Sequence, residues 1–153
     1  MNDAAKKQEP VAATARRIGL PDMFKHGQWM ISRYITKYPG LTEQNALGYF
    51  RVMMDDGVNY LFIINEGGVA LFEQLTDIMR GRIVRERFVF VFTPEDIPQA
   101  ALLYGDMFRW AESIAATEAQ VDVFTDIPRN LIRKHTAPLY TREVVFVKTE
   151  RKL

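Results

Sequence analysis

Hydrophobic and polar positions divide this chain into nine segments of regular structure. Apolar residues recur at helical spacing in some segments and at strand spacing in others. The pattern predicts helices over residues 18–38, 42–56, 95–117 and 126–134, and strands over residues 59–65, 69–75, 83–92, 121–124 and 139–148. This order predicts an α/β fold with a mixed sheet. Three antiparallel strands come first, a β-α-β-α-β half follows, and helices cover both faces.

Turn and capping residues support these boundaries. Thr42 is a candidate N-cap for the second helix, and Pro39-Gly40 ends the first. The turn residues Glu66-Gly67-Gly68 separate the first two strands, which therefore form a hairpin.

The third predicted helix is the longest and the most regular. Its apolar residues Leu103, Met107, Trp110 and Ile114 step by four, three and four positions. Pro98 fits its first turn. We expect this face to pack on the sheet, with Trp110 near the centre of the contact.

The first 17 residues are polar and alanine-rich, with Val11 as their one large apolar residue. They predict a flexible N-terminal arm, followed by a single domain over residues 18–153. An alternative is an arm that orders on a partner, with Lys6, Lys7, Arg16 and Arg17 supplying charge.

Composition narrows the class of protein. With 153 residues, 48% of them hydrophobic, the chain can form one domain with a substantial core. It has no cysteine, which excludes disulfides and fits a reducing compartment. The net charge of +1 argues against a nucleic-acid partner, and no apolar run is long enough for a membrane span or a secretory signal. We therefore expect a cytoplasmic protein.

Over residues 16–150 the element order resembles the GNAT superfamily of acetyl-CoA-dependent acyltransferases. The diagnostic segment of that family is a strand, a turn of the form V-x-P-E-x-R-G-x-G-x-G, and a helix. Residues 92–102 fall in this register, and Pro94 and Glu95 match it. The resemblance implies a GNAT-like fold, acetyl-CoA as cofactor and N-acetyltransferase activity.

The chain departs from the motif where the family binds the CoA pyrophosphate. Ile97 replaces the arginine, Pro98 the first glycine, and Ala100 and Leu102 the later glycines. Proline has no N–H to donate, and the larger residues limit close approach of the backbone to a phosphate. The resemblance implies that any cofactor would contact Phe92, Thr93, Gln99, Ala100 and Asp126.

The second family signature is also altered. Asp126 stands at the usual asparagine, Ala137-Pro138 at the Gly-Phe pair, and Arg133 at the tyrosine that acts as general acid in the family. Arginine stays protonated and cannot take that role. Tyr140, in a different register, is one catalytic candidate.

Glu73 is the other catalytic candidate, because it lies in a central strand and the family often places a carboxylate base on neighbouring strands. The alternative is a paired or edge carboxylate.

A cluster of arginines surrounds the second hairpin, at positions 80, 82, 85 and 87. Strand alternation places Arg85 and Arg87 on one face. The pattern favours a solvated face with cross-strand ion pairs over the alternative, an anion-binding patch. The two histidines, His26 and His135, have no spacing that indicates a metal site.

Two functions remain open. The first is a GNAT-like pseudoenzyme that has lost its acetyl-CoA site and binds a protein partner or an assembly. Such domains resemble some bacteriophage-encoded proteins, which would place it in the host cytoplasm or in the virion. The alternative is a divergent acetyl-CoA-dependent N-acyltransferase. The sequence indicates neither a substrate nor an oligomeric state.

Overall fold

A computed structural model of the chain describes residues 15–136 and 139–148. The helices are α1 (Leu20–Lys37), α2 (Glu43–Asp55), α3 (Ile97–Ser113) and α4 (Arg129–Lys134), with a 3₁₀ turn at Pro94–Asp96 before α3. The strands are β1 (Arg16–Arg17), β2 (Tyr60–Ile64), β3 (Gly68–Asp77), β4 (Gly81–Val91), β5 (Glu118–Asp122) and β6 (Glu143–Val147).

The six strands form one mixed sheet in the order β1-β2-β3-β4-β5-β6. Each neighbouring pair among β1 to β4 is antiparallel, whereas β5 is parallel to β4 and β6 is parallel to β5. Both parallel connections pass through a helix. Such a crossover returns the chain to the end of the sheet where the previous strand began, so that the next strand can run parallel to it. The predicted α/β fold and its two halves are confirmed.

The folded domain begins earlier than the sequence predicts. Arg16 and Arg17, which the pattern assigns to the N-terminal arm, pair with Ile64 and Ile63 of β2. Arg16 also binds both carboxylate oxygens of Asp22, with nitrogen–oxygen distances of 2.6 and 2.8 Å. A two-residue strand of exposed arginines carries no hydrophobic pattern, so the sequence could not reveal it. Residues 1–14 lie outside the described residues.

Helices cover both faces of the sheet. On one face α1 and α2 pack on Phe62, Leu71 and Phe88, together with Tyr34 and Phe50. On the other face α3 and α4 pack on a separate set of sheet residues, Leu61, Ile63, Ala70, Phe72, Val84, Val89 and Val91. Thr42 caps α2 as predicted, accepting a hydrogen bond from the backbone N–H of Asn45 at 3.0 Å.

The centre of the α3 contact differs from the prediction. Leu103 and Met107 are fully buried, but Trp110 and Ile114 are only partly buried at its margin. Tyr104 and Phe108 fill the centre instead, both with no exposed surface. The buried stripe is one residue wider than the stepped pattern indicates, because small residues such as Ala101 and Ala111 let the helix lie close to the sheet.

Several boundaries in the C-terminal half also differ: α3 ends at Ser113 rather than at residue 117, and β6 begins at Glu143 rather than at residue 139. Strand β5 begins at Glu118, three residues before the predicted strand, because its polar residues on the exposed side hide the alternation. Helix α4 begins at Arg129 with Pro128 as its N-cap, and Asp126 lies in the preceding loop rather than at the cap.

A β-bulge in β4 sets the geometry of the site. Leu71 pairs with Phe88 and Phe72 pairs with Glu86, so Arg87 is the extra residue between them. The bulge lets Glu86 contact Tyr104 of α3 while Arg87 and Phe88 both contact Tyr34 of α1.

Candidate functional site

The sheet opens between β4 and β5. The two strands pair only from Ile83–Glu118 to Arg85–Gln120, and beyond that point they diverge. Three cavities lie along this opening, which we call the β4–β5 cleft. The arginine cavity, of about 400 Å³, is lined by Tyr38, Arg85, Glu86, Arg87, Gln120, Val147 and Lys148. A cavity of about 150 Å³ follows, and the α3 cavity, of about 350 Å³, lies beside the start of α3.

Glu86 is the most unusual group in the cleft. Its side chain is buried, and its Oε1 accepts hydrogen bonds from the Tyr104 hydroxyl at 2.7 Å and the Asp122 backbone N–H at 3.1 Å. Its Oε2 has no hydrogen-bond partner among the described residues. Burial raises the pKa of Glu86 to about 7, although the nearby ammonium of Lys37 opposes that rise. This carboxyl is able to hold or release a proton near neutral pH.

Two ion pairs tie α1 to the far side of the cleft. The Lys37 ammonium contacts Asp122 at the end of β5, where the carboxylate is fully buried. The Arg33 guanidinium lies 3.3 Å from Asp126 in the following loop. Arg33 and Asp126 line two of the three cavities, and Lys37 lines one of them, so these pairs occupy part of the cleft.

Glu73, one predicted catalytic residue, is held by arginines. Its Oε2 accepts from Arg85, with the Nε at 2.9 Å, and its Oε1 lies 3.4 Å from Arg87 Nη1. Glu73 is buried, and both of its oxygens face guanidinium groups. This arrangement matches the ion-paired alternative more closely than a free base.

Tyr140, the other candidate, lies on the opposite face of the sheet from Glu73. Its ring stacks on Phe108 at a centroid distance of 6.1 Å, and its hydroxyl donates to the Ala116 carbonyl at 2.8 Å. Burial raises the pKa of Tyr140 to about 12. The structure does not bring these two residues together.

The residues predicted to contact a cofactor fall into two groups. Phe92, Thr93 and Asp126 line the α3 cavity. Gln99 and Ala100 lie beneath the β2–β3 turn, where a Cβ atom built on Gly67 would come within 2.5 Å of the Ala100 nitrogen. The Gln99 carbonyl accepts a hydrogen bond from Asn65 Nδ2 at 2.9 Å. This turn therefore covers part of the helix terminus that a cofactor would need.

The start of α3 does not fit the pyrophosphate of acetyl-CoA. The carboxylate of Asp96 already accepts hydrogen bonds from Thr93, at 3.2 Å from its backbone nitrogen and 2.8 Å from its hydroxyl. Pro98 offers no N–H, and the N–H of Ile97 donates to the Pro94 carbonyl. Glu95 adds a second carboxylate at this terminus. Two negative charges and few free donors disfavour a dianionic ligand here.

None of the described helices is long and apolar enough to cross a bilayer. Within residues 15–136 and 139–148 there is no group of three or more acidic or histidine side chains placed to hold a metal ion.

Sequence reasoning missed the central residues of the cleft. In the sequence, Glu86 is one charged residue within an arginine-rich hairpin, and the residues directly beside it do not mark it as buried. Lys37 and Asp122 are 85 positions apart, so no local pattern links them. One signal was available. Glu86 is an acidic residue on the same side of its strand as the apolar Val84, which indicates a buried carboxylate.

Comparison with known proteins supports the fold. No protein-family model matches the sequence, and no curated protein matches it significantly. Among solved structures, the chain is similar to a glucosamine-6-phosphate N-acetyltransferase from Arabidopsis thaliana, a member of the GNAT family, with a TM-score of 0.56 and 11% identity. The match covers 89% of this chain and 95% of the other. The described fold is therefore GNAT-like.

Proposed function

We propose that this chain is a GNAT-fold binding domain that does not use acetyl-CoA and acts through a protein partner. One observation carries the proposal: at the start of α3, where the family holds the pyrophosphate, this chain places the carboxylates of Glu95 and Asp96 and a proline without an N–H, Pro98. A phosphate group bound there would lie beside the Asp96 carboxylate, which Thr93 holds by two hydrogen bonds, and beside Glu95. Like charges at one helix terminus oppose binding.

The cleft supports the same conclusion. An extended ligand placed between β4 and β5 would compete with the Lys37–Asp122 and Arg33–Asp126 ion pairs. Breaking the buried Lys37–Asp122 pair would leave the Asp122 carboxylate without its cation. Such a loss usually lowers the stability of a protein by about 3–5 kcal/mol.

Exposed apolar side chains support a protein partner. Phe24 on α1 is 86% exposed, and Ile78 and Met79 at the tip of the β3–β4 hairpin are 96% and 89% exposed. Large apolar side chains at surfaces are enriched where proteins contact each other. A bacteriophage origin, with a location in the host cytoplasm or the virion, stays a prediction from the sequence resemblance.

A second candidate function is a divergent acetyl-CoA-dependent N-acyltransferase. Glu86 favours it, because a buried carboxyl with a pKa of about 7 is suited to accept a proton from a substrate. The carboxylates and the proline at the start of α3 weigh against it.

An enzymatic assay separates the two functions. The full chain would be incubated with acetyl-CoA and a mixture of primary amines, and free thiol would be measured against a sample without protein. We expect no release above background, for the parent and for Glu86→Gln alike. Release that the parent supports and Glu86→Gln abolishes would establish the acyltransferase instead.

A further inference from the structure

The arginine cavity is the most cationic of the three cavities of the β4–β5 cleft. Three of its seven lining residues, Arg85, Arg87 and Lys148, are cations. Its volume of about 400 Å³ lies in the range of small-molecule sites. The side chains come from β4, β5, the end of α1 and the residues at the end of β6, so four parts of the fold converge on it.

The charges around this cavity do not cancel. Glu73 balances one of the two guanidinium groups of Arg85 and Arg87. Asp122, whose backbone N–H donates to Glu86, is paired with Lys37. Lys148 has no ion-pair partner among the described residues, and its ammonium lies 5.9 Å from the Phe124 ring centre. The arginines and Lys148 together contribute two net positive charges, and Glu86, which also lines the cavity and has a pKa of about 7, offsets at most one of them.

Donors remain free for a ligand. Arg85 uses its Nε and Nη2 on Glu73, which leaves Nη1 without a hydrogen bond among the described residues. The Arg85 side chain is 41% exposed, so that nitrogen is within reach of solvent. Arg87 Nε also lacks a partner in the described part of the chain. Guanidinium groups with unused N–H donors bind phosphate and carboxylate oxygens strongly.

We propose that the arginine cavity binds a small molecule through a phosphate or carboxylate group, with Arg85 and Lys148 as its direct contacts. Arg87 adds positive charge and is held in place by Glu73 and the Tyr34 hydroxyl. Tyr38 and Val147 supply apolar surface for the rest of the ligand. This site goes beyond the proposed function and does not depend on it.

The test is a titration of the full ¹⁵N-labelled chain with phenyl phosphate and, in parallel, with benzoate, at constant ionic strength. Chemical shifts should move at Arg85, Gln120 and Val147 and saturate with at least one of the two probes. Phenol, which has the same ring without the anion, should cause no such change. The stronger of the two anionic probes identifies the preferred group.

Two variants locate the contact. Lys148→Gln removes an exposed cation and should weaken binding about tenfold, the loss expected for one charge-assisted hydrogen bond. Lys134→Gln, on the exposed side of α4, makes the same change in net charge away from the cavity and should change binding less than about twofold. Arg85→Lys keeps the charge and should still weaken binding, because the planar donor set is lost.

The proposal is overturned if neither anion saturates the shifts, if phenol acts like the anions, or if the shifts lie around other residues. Equal binding by Lys148→Gln and Lys134→Gln would also overturn it. Thermal unfolding of each variant shows whether the fold is intact, and Lys148→Gln is expected to unfold at the parent temperature because its side chain is exposed.

Discussion

Lys37, at the end of α1, forms an ion pair with Asp122, at the end of β5. The carboxylate is fully buried and the lysine side chain is only 10% exposed. Asp122 also accepts a hydrogen bond from the Phe124 backbone N–H at 2.9 Å, and its own N–H donates to Glu86. This pair therefore joins a helix on one face of the sheet to the buried carboxyl of the cleft.

Replacing Lys37 by Met should destabilise the protein by about 3–5 kcal/mol, because it leaves a buried carboxylate without its cation. The free energy of unfolding in urea measures the effect. Arg33→Gln, which breaks the exposed Arg33–Asp126 pair on the same helix, should cost no more than about 1 kcal/mol. Equal free energies of unfolding for the two variants would show that the buried Lys37–Asp122 pair contributes no more to stability than the exposed Arg33–Asp126 pair.

Glu86 should make stability fall as pH rises. Its pKa is raised from an ordinary 4.5 to about 7, so the folded protein binds more protons than the unfolded chain between these values. Stability is therefore fully present below pH 4.5, declines from there to pH 7 and is constant above it. The size of the shift corresponds to roughly 3 kcal/mol.

Urea unfolding at a series of pH values measures this effect, and Glu86→Gln provides the comparison. The amide does not titrate, so the difference in stability between parent and variant should change across the same window. Parallel pH profiles for the two proteins would show that Glu86 ionises normally.

Gly67→Ala should be strongly destabilising. The added Cβ would lie 2.5 Å from the Ala100 nitrogen and 2.8 Å from the Asp96 carbonyl oxygen, both of them backbone atoms that cannot rotate away. We expect a loss above about 2 kcal/mol. Gly48→Ala in α2 is the matched control, since nothing lies within 4 Å of a Cβ built on Gly48. At that helical position alanine should raise the free energy of unfolding by about 0.5–1 kcal/mol. Equal effects at the two sites would mean that the turn does not rest on α3.

Phe108 should contribute more to stability than Trp110. Phe108 is fully buried between α3 and the sheet, so Phe108→Ala should cost about 3–5 kcal/mol. Trp110 is only partly buried, and its replacement by alanine should cost clearly less. Urea denaturation of both variants compares the two losses of stability. A larger loss for Trp110→Ala than for Phe108→Ala would show that Trp110 lies at the centre of the contact between α3 and the sheet.

Hydrophobic periodicity is sufficient to predict the fold class and the order of the elements after β1. The alternation of Phe88 and Phe90, and the steps from Leu103 to Met107, belong to faces that are buried as expected. Each of these signals is local, because it depends on residues within a few positions of one another.

The cleft could not be predicted in the same way. The Lys37–Asp122 pair and the Tyr104–Glu86 hydrogen bond depend on which elements become neighbours in space. The bulge at Arg87 depends on how β4 pairs with β3, and it decides which side chains of β4 reach α1. The prediction of Glu73 as a base rests on its strand and on the family resemblance, whereas its pairing with Arg85 and Arg87 depends on how β3 pairs with β4.

The most direct test of the proposed function is a calorimetric titration of the full chain with acetyl-CoA at physiological salt. Because Asp96, Glu95 and Pro98 leave the start of α3 poorly suited to a pyrophosphate, we expect no saturable heat up to about 1 mM ligand, which corresponds to a binding free energy weaker than about 4 kcal/mol. Micromolar, saturable binding would contradict the proposed function, and its weakening by Arg33→Gln would place the cofactor in the α3 cavity.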